Sequence, residues 1–301
     1  MKEIIEILKV VSSFSDDETA ILATVLDVRG SGYRLPGARM LMLADGQTIG
    51  TVSGGCLEAD VLERAKKVLA TGIADVFTYD TTGDENSVFS MNMGCRGVID
   101  IKLEPVGKVS QLIAEMRLAY ETRVATENFA PPIAIMLCGA GADAVPLARI
   151  AAELGWHVTV HDHRPAFLTD ERFPAARQLV LHTVDEPPAP FLADERTAAV
   201  VMTHNYARDR LILPAVLGSG AFFVGCLGPK RRTEQLLEEL AASGEQFMSD
   251  QLARLYAPIG LDIGADTPES IALSIIAEIQ SVLRTRSGGH LRDRQGSIYD
   301  R

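Results

Sequence analysis

Cysteine is scarce in this sequence. Four cysteines are spread over 301 residues with no C-x-x-C pair, which excludes a disulfide framework or a zinc knuckle and leads us to expect a reducing, cytoplasmic compartment. Positive charge is also in deficit. Lys and Arg total 29 against 40 Asp and Glu, a formal charge of −11, which is the wrong sign for general binding of a nucleic-acid backbone. Long apolar runs are missing as well. The longest uncharged stretch, Leu211 to Pro229, is broken by Pro214, Gly218, Gly220, Gly225 and Gly228, whereas a bilayer span needs about 20 mostly apolar residues. Met1 to Val11 mixes Lys and Glu with Ile and Leu, so neither a secretory leader nor membrane association is expected. No internal repeat is present. What remains is ordinary globular composition, 47% hydrophobic and 23% charged, over a length that at roughly 100–200 residues per domain predicts two domains.

The two halves carry different rhythms. In the first, Ile4, Ile5, Leu8 and Val11 have helical spacing, and Ala20 to Val28 is a β-branched apolar run ended by Gly30-Ser31-Gly32. Arg39 to Ala44 and Gln47 to Val52 flank Asp45-Gly46, which supplies the positive φ angles of a hairpin turn. Leu57, Val61, Leu62, Ala65 and Leu69 make an amphipathic helix that should stop at Gly72. Val76 to Tyr79 and Val98 to Leu103 read as further strands. Residues 1–107 are therefore expected to form a strand-rich α+β domain, followed by a connecting helix and linker over 108–131. From Ile133 the pattern alternates strand and helix, with apolar strands at Ile133 to Leu137, His157 to Val160, Thr197 to Met202 and Ala221 to Gly225. This rhythm predicts a Rossmann-like open parallel-sheet domain over 132–283. Its last helix starts at Pro268 behind Thr267 as N-cap. Arg284 to Arg301 holds five Arg and little to bury, and is expected to be a mobile tail.

Several residue groups carry chemical potential. Gly139-Ala140-Gly141 follows a strand and opens a helix, and Asp162 ends the next strand. Gly139 and Gly141 would let backbone N–H groups approach a phosphate, with Asp162 placed to bond a ribose. Asp143 beside this loop opposes an anion, so an empty or repurposed site is the alternative. Ser53-Gly54-Gly55-Cys56-Leu57-Glu58 stands at a helix start. There small residues can form an anion-binding nest, and Cys56 sits where nucleophilic or metal-binding thiolate chemistry is favoured. The alternative for Cys56 is a buried structural thiol. Met93-Gly94-Cys95-Arg96 pairs a second cysteine with a cation that favours the same chemistry. Cys138 and Cys226 lie in apolar strands and read as core. His161, Asp162 and His163 show no fourth ligand at metal spacing. His204 in Thr203-His204-Asn205 follows a strand, where it serves either a ligand site or a turn or cap. Lys230-Arg231-Arg232 meets a phosphate or simply starts a solvated helix.

Together, Pro36 to Met40, Ser53 to Glu58, Met93-Gly94-Cys95, the Gly139 loop, Asp162-His163-Arg164 and Pro258 to Ala265 ahead of Thr267-Pro268-Glu269 closely resemble the XdhC/CoxI family. Its members are accessory proteins of xanthine dehydrogenase-type molybdenum hydroxylases. The resemblance covers nearly the whole chain except the linker helix and tail. It implies a chaperone rather than a catalyst, with molybdenum cofactor (molybdopterin or its dinucleotide form) as ligand. The partners it implies are a cysteine desulfurase and an apo molybdenum hydroxylase. It places Cys56 and Cys95 at the cofactor's molybdenum and the glycine nests at its phosphate oxygens. Taken with the residue readings above, Ser53, Gly54, Gly55, Glu58, Arg96, Gly139, Gly141, Asp162 and His204 are the further expected cofactor-binding positions. Thiolates suit a soft metal centre, and could alternatively carry sulfur. The chain departs from the family pattern at Ala142, where a His is usual, at Arg96, where a Gly is common, and at Pro229, where a Ser is usual. The competing reading is an NAD(P)-dependent oxidoreductase built on the second half. A homodimer is left open, since no sequence feature fixes it.

Overall fold

The computed structural model describes residues 2–81, 97–183 and 193–295. They form two compact units, one running to Pro131 and joined by the chain from Leu291, the other spanning Pro132–His290. No helix among the described residues is long and apolar enough to cross a membrane.

The first unit is a five-stranded antiparallel sheet with helices on both faces. Its elements are α1 (Lys2–Ser12), β1 (Ala20–Gly30), β2 (Arg39–Met42), β3 (Thr48–Gly50), α2 (Glu58–Thr71), β4 (Asp75–Asp80), β5 (Gly97–Val106) and α3 (Gln111–Thr122). The strand order is β3-β2-β1-β5-β4. Alternation along β1 divides its side chains between two cores. Ile21, Ala23 and Val25 join Val61, Ala65 and Val68 of α2. Ala20 and Leu22 join Ile7, Leu8 and Val11 of α1 and Ile113, Met116 and Ala119 of α3. Coverage on both faces is why β1 reads as a continuous apolar run and not as an alternating one. The β2–β3 hairpin turns on Gly46 at φ +89°, and Gly72 at φ +69° closes α2 by donating its N–H to the Val68 carbonyl at 2.9 Å. The segment read as a connecting helix thus packs into this unit, and Arg39 ties the chain beyond it. The Arg39 guanidinium bonds the Asn128 carbonyl oxygen at 2.8 Å and stacks 4.1 Å from the Phe129 ring centre.

The second unit holds β6 (Ala134–Cys138), α4 (Ala144–Glu153), β7 (His157–Asp162), β8 (Gln178–Leu181), β9 (Thr197–Val201), α5 (Tyr206–Leu217), β10 (Phe223–Cys226), α6 (Lys230–Ala242), α7 (Ser249–Ala253), β11 (Leu255–Tyr256) and α8 (Pro268–Leu283). All pairings are parallel and the order is β11-β10-β9-β6-β7-β8. Counted from β6, this is the 3-2-1-4-5-6 order of the doubly wound dinucleotide-binding fold, reversing between β6 and β9. One face is covered by α4 and α8 through Ala144, Leu147, Ala151, Ala272, Ile275 and Ile279. The other is covered by α5 and α6 through Ile212, Leu213, Val216, Leu236 and Leu240. Thr267 caps α8 by accepting the Ser270 N–H at 3.2 Å. In the chain read as a tail, α8 is followed by an exposed 3-10 turn at Leu291–Asp293.

Candidate functional site

In the first unit, Ser53 organises the entry to α2. Its hydroxyl accepts the N–H of Gly55 at 3.2 Å and of Leu57 at 3.1 Å, and donates to a Glu58 carboxylate oxygen. The other Glu58 oxygen accepts the Ser53 N–H at 2.9 Å. The nest expected from the sequence therefore has two of its donors taken by the serine itself. What the turn presents instead is Cys56, which is exposed, with its sulfur 3.6 Å from the Ser53 oxygen. Gly55 at φ +104° and Gly54, where a Cβ would stand 3.3 Å from the Tyr33 ring, allow that path. Cys56 is thus a surface thiol on a tightly bonded turn, not a core residue. Ser53→Ala would leave two backbone donors and one Glu58 carboxylate oxygen without their partner. It is expected to lower the stability of this unit by about 1–2 kcal/mol, read as a shift of the urea midpoint; an unmoved midpoint would remove Ser53 from this role. Cys95 and Arg96 lie outside the described residues.

In the second unit, Gly139, Gly141, Asp162 and His204 meet at the carboxyl ends of β6, β7 and β9, beside the point where strand order reverses. Gly139 has φ +128°, and Gly141 lies against His204, where a Cβ would be 3.4 Å from the ring. The Ala140 N–H, however, points back into the fold and donates to Asp162 at 2.7 Å. Arg164 donates to the same carboxylate from its backbone N–H at 2.9 Å, from Nε at 2.9 Å and from Nη2 at 2.8 Å. Burial raises the affinity of Asp162 for a proton, but the Arg164 and Ala140 hydrogen bonds outweigh it and hold the carboxyl well below the usual range. Arg172 fixes the loop from its carbonyl side, bonding Ala140 O at 2.9 Å.

His204 has φ +56° and its Nε2 stands 3.0 Å from Asp143. It is not the cap of α5; Asn205 is, accepting the Arg208 N–H at 3.1 Å. The carboxylate that opposed an anion on sequence grounds is therefore paired with a histidine. His161 does not act with His163. Its Nδ1 lies 2.7 Å from Nε2 of His182, and burial together with His182 lowers its pKa to about 4. Arg232 from the basic run is structural: it bonds Asp209 at 2.7 Å, which in turn accepts from Thr203 at 2.5 Å. Cys138 and Cys226 are buried, and burial first, then Asp209, pushes the Cys226 thiol up to about 12. No group of three or more His, Cys, Asp or Glu that could hold a metal ion occurs among the described residues. Sequence reasoning missed Arg172 and His182, neither of which has a local signal; Arg164, two residues beyond Asp162 on an extended chain, did.

Fold and site together define a two-unit protein in which a cysteine-bearing α+β unit is followed by a Rossmann unit. Residues 14–80 match the XdhC and CoxI family, and residues 135–279 match the XdhC Rossmann domain. The chain belongs to the XdhC/CoxI family. It is 31% identical to a Bacillus subtilis protein described as a probable xanthine dehydrogenase subunit, over 88% of this chain and 93% of that one. It is 25% identical to the Escherichia coli molybdenum cofactor insertion chaperone PaoD, over 90% of this chain and 86% of that protein. A crystal structure from Bacillus halodurans described as a xanthine dehydrogenase superposes with a TM-score of 0.78 at 27% identity, covering 95% of this chain and 97% of that one.

Proposed function

We propose that this protein is an accessory chaperone that binds molybdenum cofactor and inserts it into an apo molybdenum hydroxylase of the xanthine dehydrogenase type. In this reading a cysteine desulfurase partner supplies the terminal sulfur while the cofactor is held. The observation that carries it is Cys56: an exposed soft sulfur on a turn whose backbone is fixed by Ser53 and Glu58. Such a thiol fits the molybdenum end of the cofactor, since soft ligands suit such a centre and a prebonded turn loses little freedom on binding. Cys95 is proposed as a second contact on the family motif alone. Family membership and the relatives described as a dehydrogenase subunit and as an insertion chaperone support the same reading.

The test is to incubate anaerobically purified protein with molybdenum cofactor, remove free ligand, and measure bound molybdenum and oxidised-pterin fluorescence. Wild type is expected to retain close to one equivalent and Cys56→Ser less than about a tenth of that. Loss of retention in neither or both would overturn the assignment to Cys56 or the chaperone reading, respectively. A second reading, an NAD(P)-dependent oxidoreductase, is favoured by the strand order and by the His204–Asp143 pair, which supplies the partner a general base requires. It predicts a turnover that tolerates Cys56→Ser and falls with His204→Asn.

A further inference from the structure

We infer that Arg164 converts the ribose position of the Rossmann unit into a position for a phosphate monoester. In dinucleotide-binding folds the acid ending the second strand accepts hydrogen bonds from a ribose diol, and a nearby arginine takes a phosphate in its place. Asp162 is that acid, but its side chain is only 2% exposed and it already accepts the four hydrogen bonds from Ala140 and Arg164 described above. A carboxylate has about four acceptor sites, so none is left for a diol. His163 Nδ1 crowds the same carboxylate at 3.3 Å.

Arg164 is placed differently. It spends two of the guanidinium's five donors on Asp162, while its side chain stays 36% exposed. Its plane is held over the Phe167 ring at 4.0 Å, and the same ring carries Arg172 at 4.7 Å. The remaining donors form the planar fork that suits phosphate oxygens. The site thus rejects a free diol, because Asp162 is saturated, and accepts a dianion, because Arg164 is anchored and still exposed. The phosphate could be that of a pterin or the 2′-phosphate of a nucleotide.

Titration calorimetry on the full chain, with two matched pairs of probes, tests this apart from the Cys56 reading. One pair is the phosphorylated oxidised pterin from molybdenum cofactor and its dephosphorylated form; the other is NADP and NAD. In at least one pair the phosphorylated member should bind ~10-fold tighter or more, since a charge-assisted contact is worth that much, and the pair concerned identifies the source. Arg164→Met should abolish the preference and Arg164→Lys should restore part of it, with far-UV circular dichroism showing both variants folded. Equal binding within both pairs, no binding of any probe, a preference for NAD, or a preference that survives Arg164→Met would each overturn the proposal.

Discussion

Gly139→Ala is expected to destabilise the second unit by about 3 kcal/mol or more. The residue has φ +128°, a conformation that costs a side chain of order 1–3 kcal/mol. Space is also lacking. An added Cβ would overlap the Met202 carbonyl oxygen and stand 2.7 Å from its carbon and 2.9 Å from Thr203 Cα. These are backbone atoms at the end of a central strand, and moving them adds a further overpacking cost of about 1–3 kcal/mol. Gly141→Ala is the control. Its Cβ would meet only the His204 ring at 3.4 Å, a side chain 58% exposed and able to move, so the cost should stay below about 1 kcal/mol. Urea midpoints for the two variants side by side decide the matter; equal shifts would contradict this packing.

Acid is expected to weaken the second unit well before Asp162 titrates. Burial and the adjacent His182 hold His161 neutral down to about pH 4, whereas an unfolded histidine takes up its proton near pH 6.5. Between those values the unfolded chain binds a proton that the folded chain refuses, so stability rises with pH across this window and falls as pH drops through it. The loss is on the order of 3 kcal/mol at the lower end. His182, lowered by burial and Arg208, acts in the same direction. Asp162 belongs to a lower window. Its folded pKa is depressed, so its contribution is intact above about pH 4 and is lost only as pH falls further. Urea unfolding of wild type and His161→Asn between pH 4 and 7.5 separates the two. The variant should lose most of the slope above pH 4.5, and a wild-type profile flat from 7 to 4.5 would refute the assignment.

Most of the architecture was written in local signals. Asp45-Gly46, Gly72 and Thr267-Pro268 each impose a backbone conformation on their own, so the hairpin, the end of α2 and the start of α8 fall where short-range rules put them. The parallel strands β6, β9 and β10 were legible because both faces are covered and every residue is buried. β11 was not, for two residues carry no period; it depends on Gly225, where any Cβ would overlap Ile259, and on the stacking of Tyr256 on Phe223 at 4.3 Å. At the sites, residue types were readable and their partners were not. Nothing local said that the hydroxyl of Ser53 would fill the nest around Cys56. Nor was it legible that Asp162 would turn to the Ala140 N–H, or that His161 would find His182 just past the end of β8. Those choices are made by tertiary geometry.

The order of the first sheet sets a timetable for synthesis. β1 is the first strand made, and β2 can join it early, pairing Ile21 with Met42 across a short loop. The opposite edge of β1 waits for β5, whose register runs from Ala20 with Val106 to Gly30 with Gly97. Until about a hundred residues have left the ribosome, an apolar strand with one full edge of unpaired amides is therefore exposed to any other strand that arrives. Long-range pairing of this kind is slow and open to association. The half of the protein that presents Cys56 thus closes its sheet only once β5 has been made.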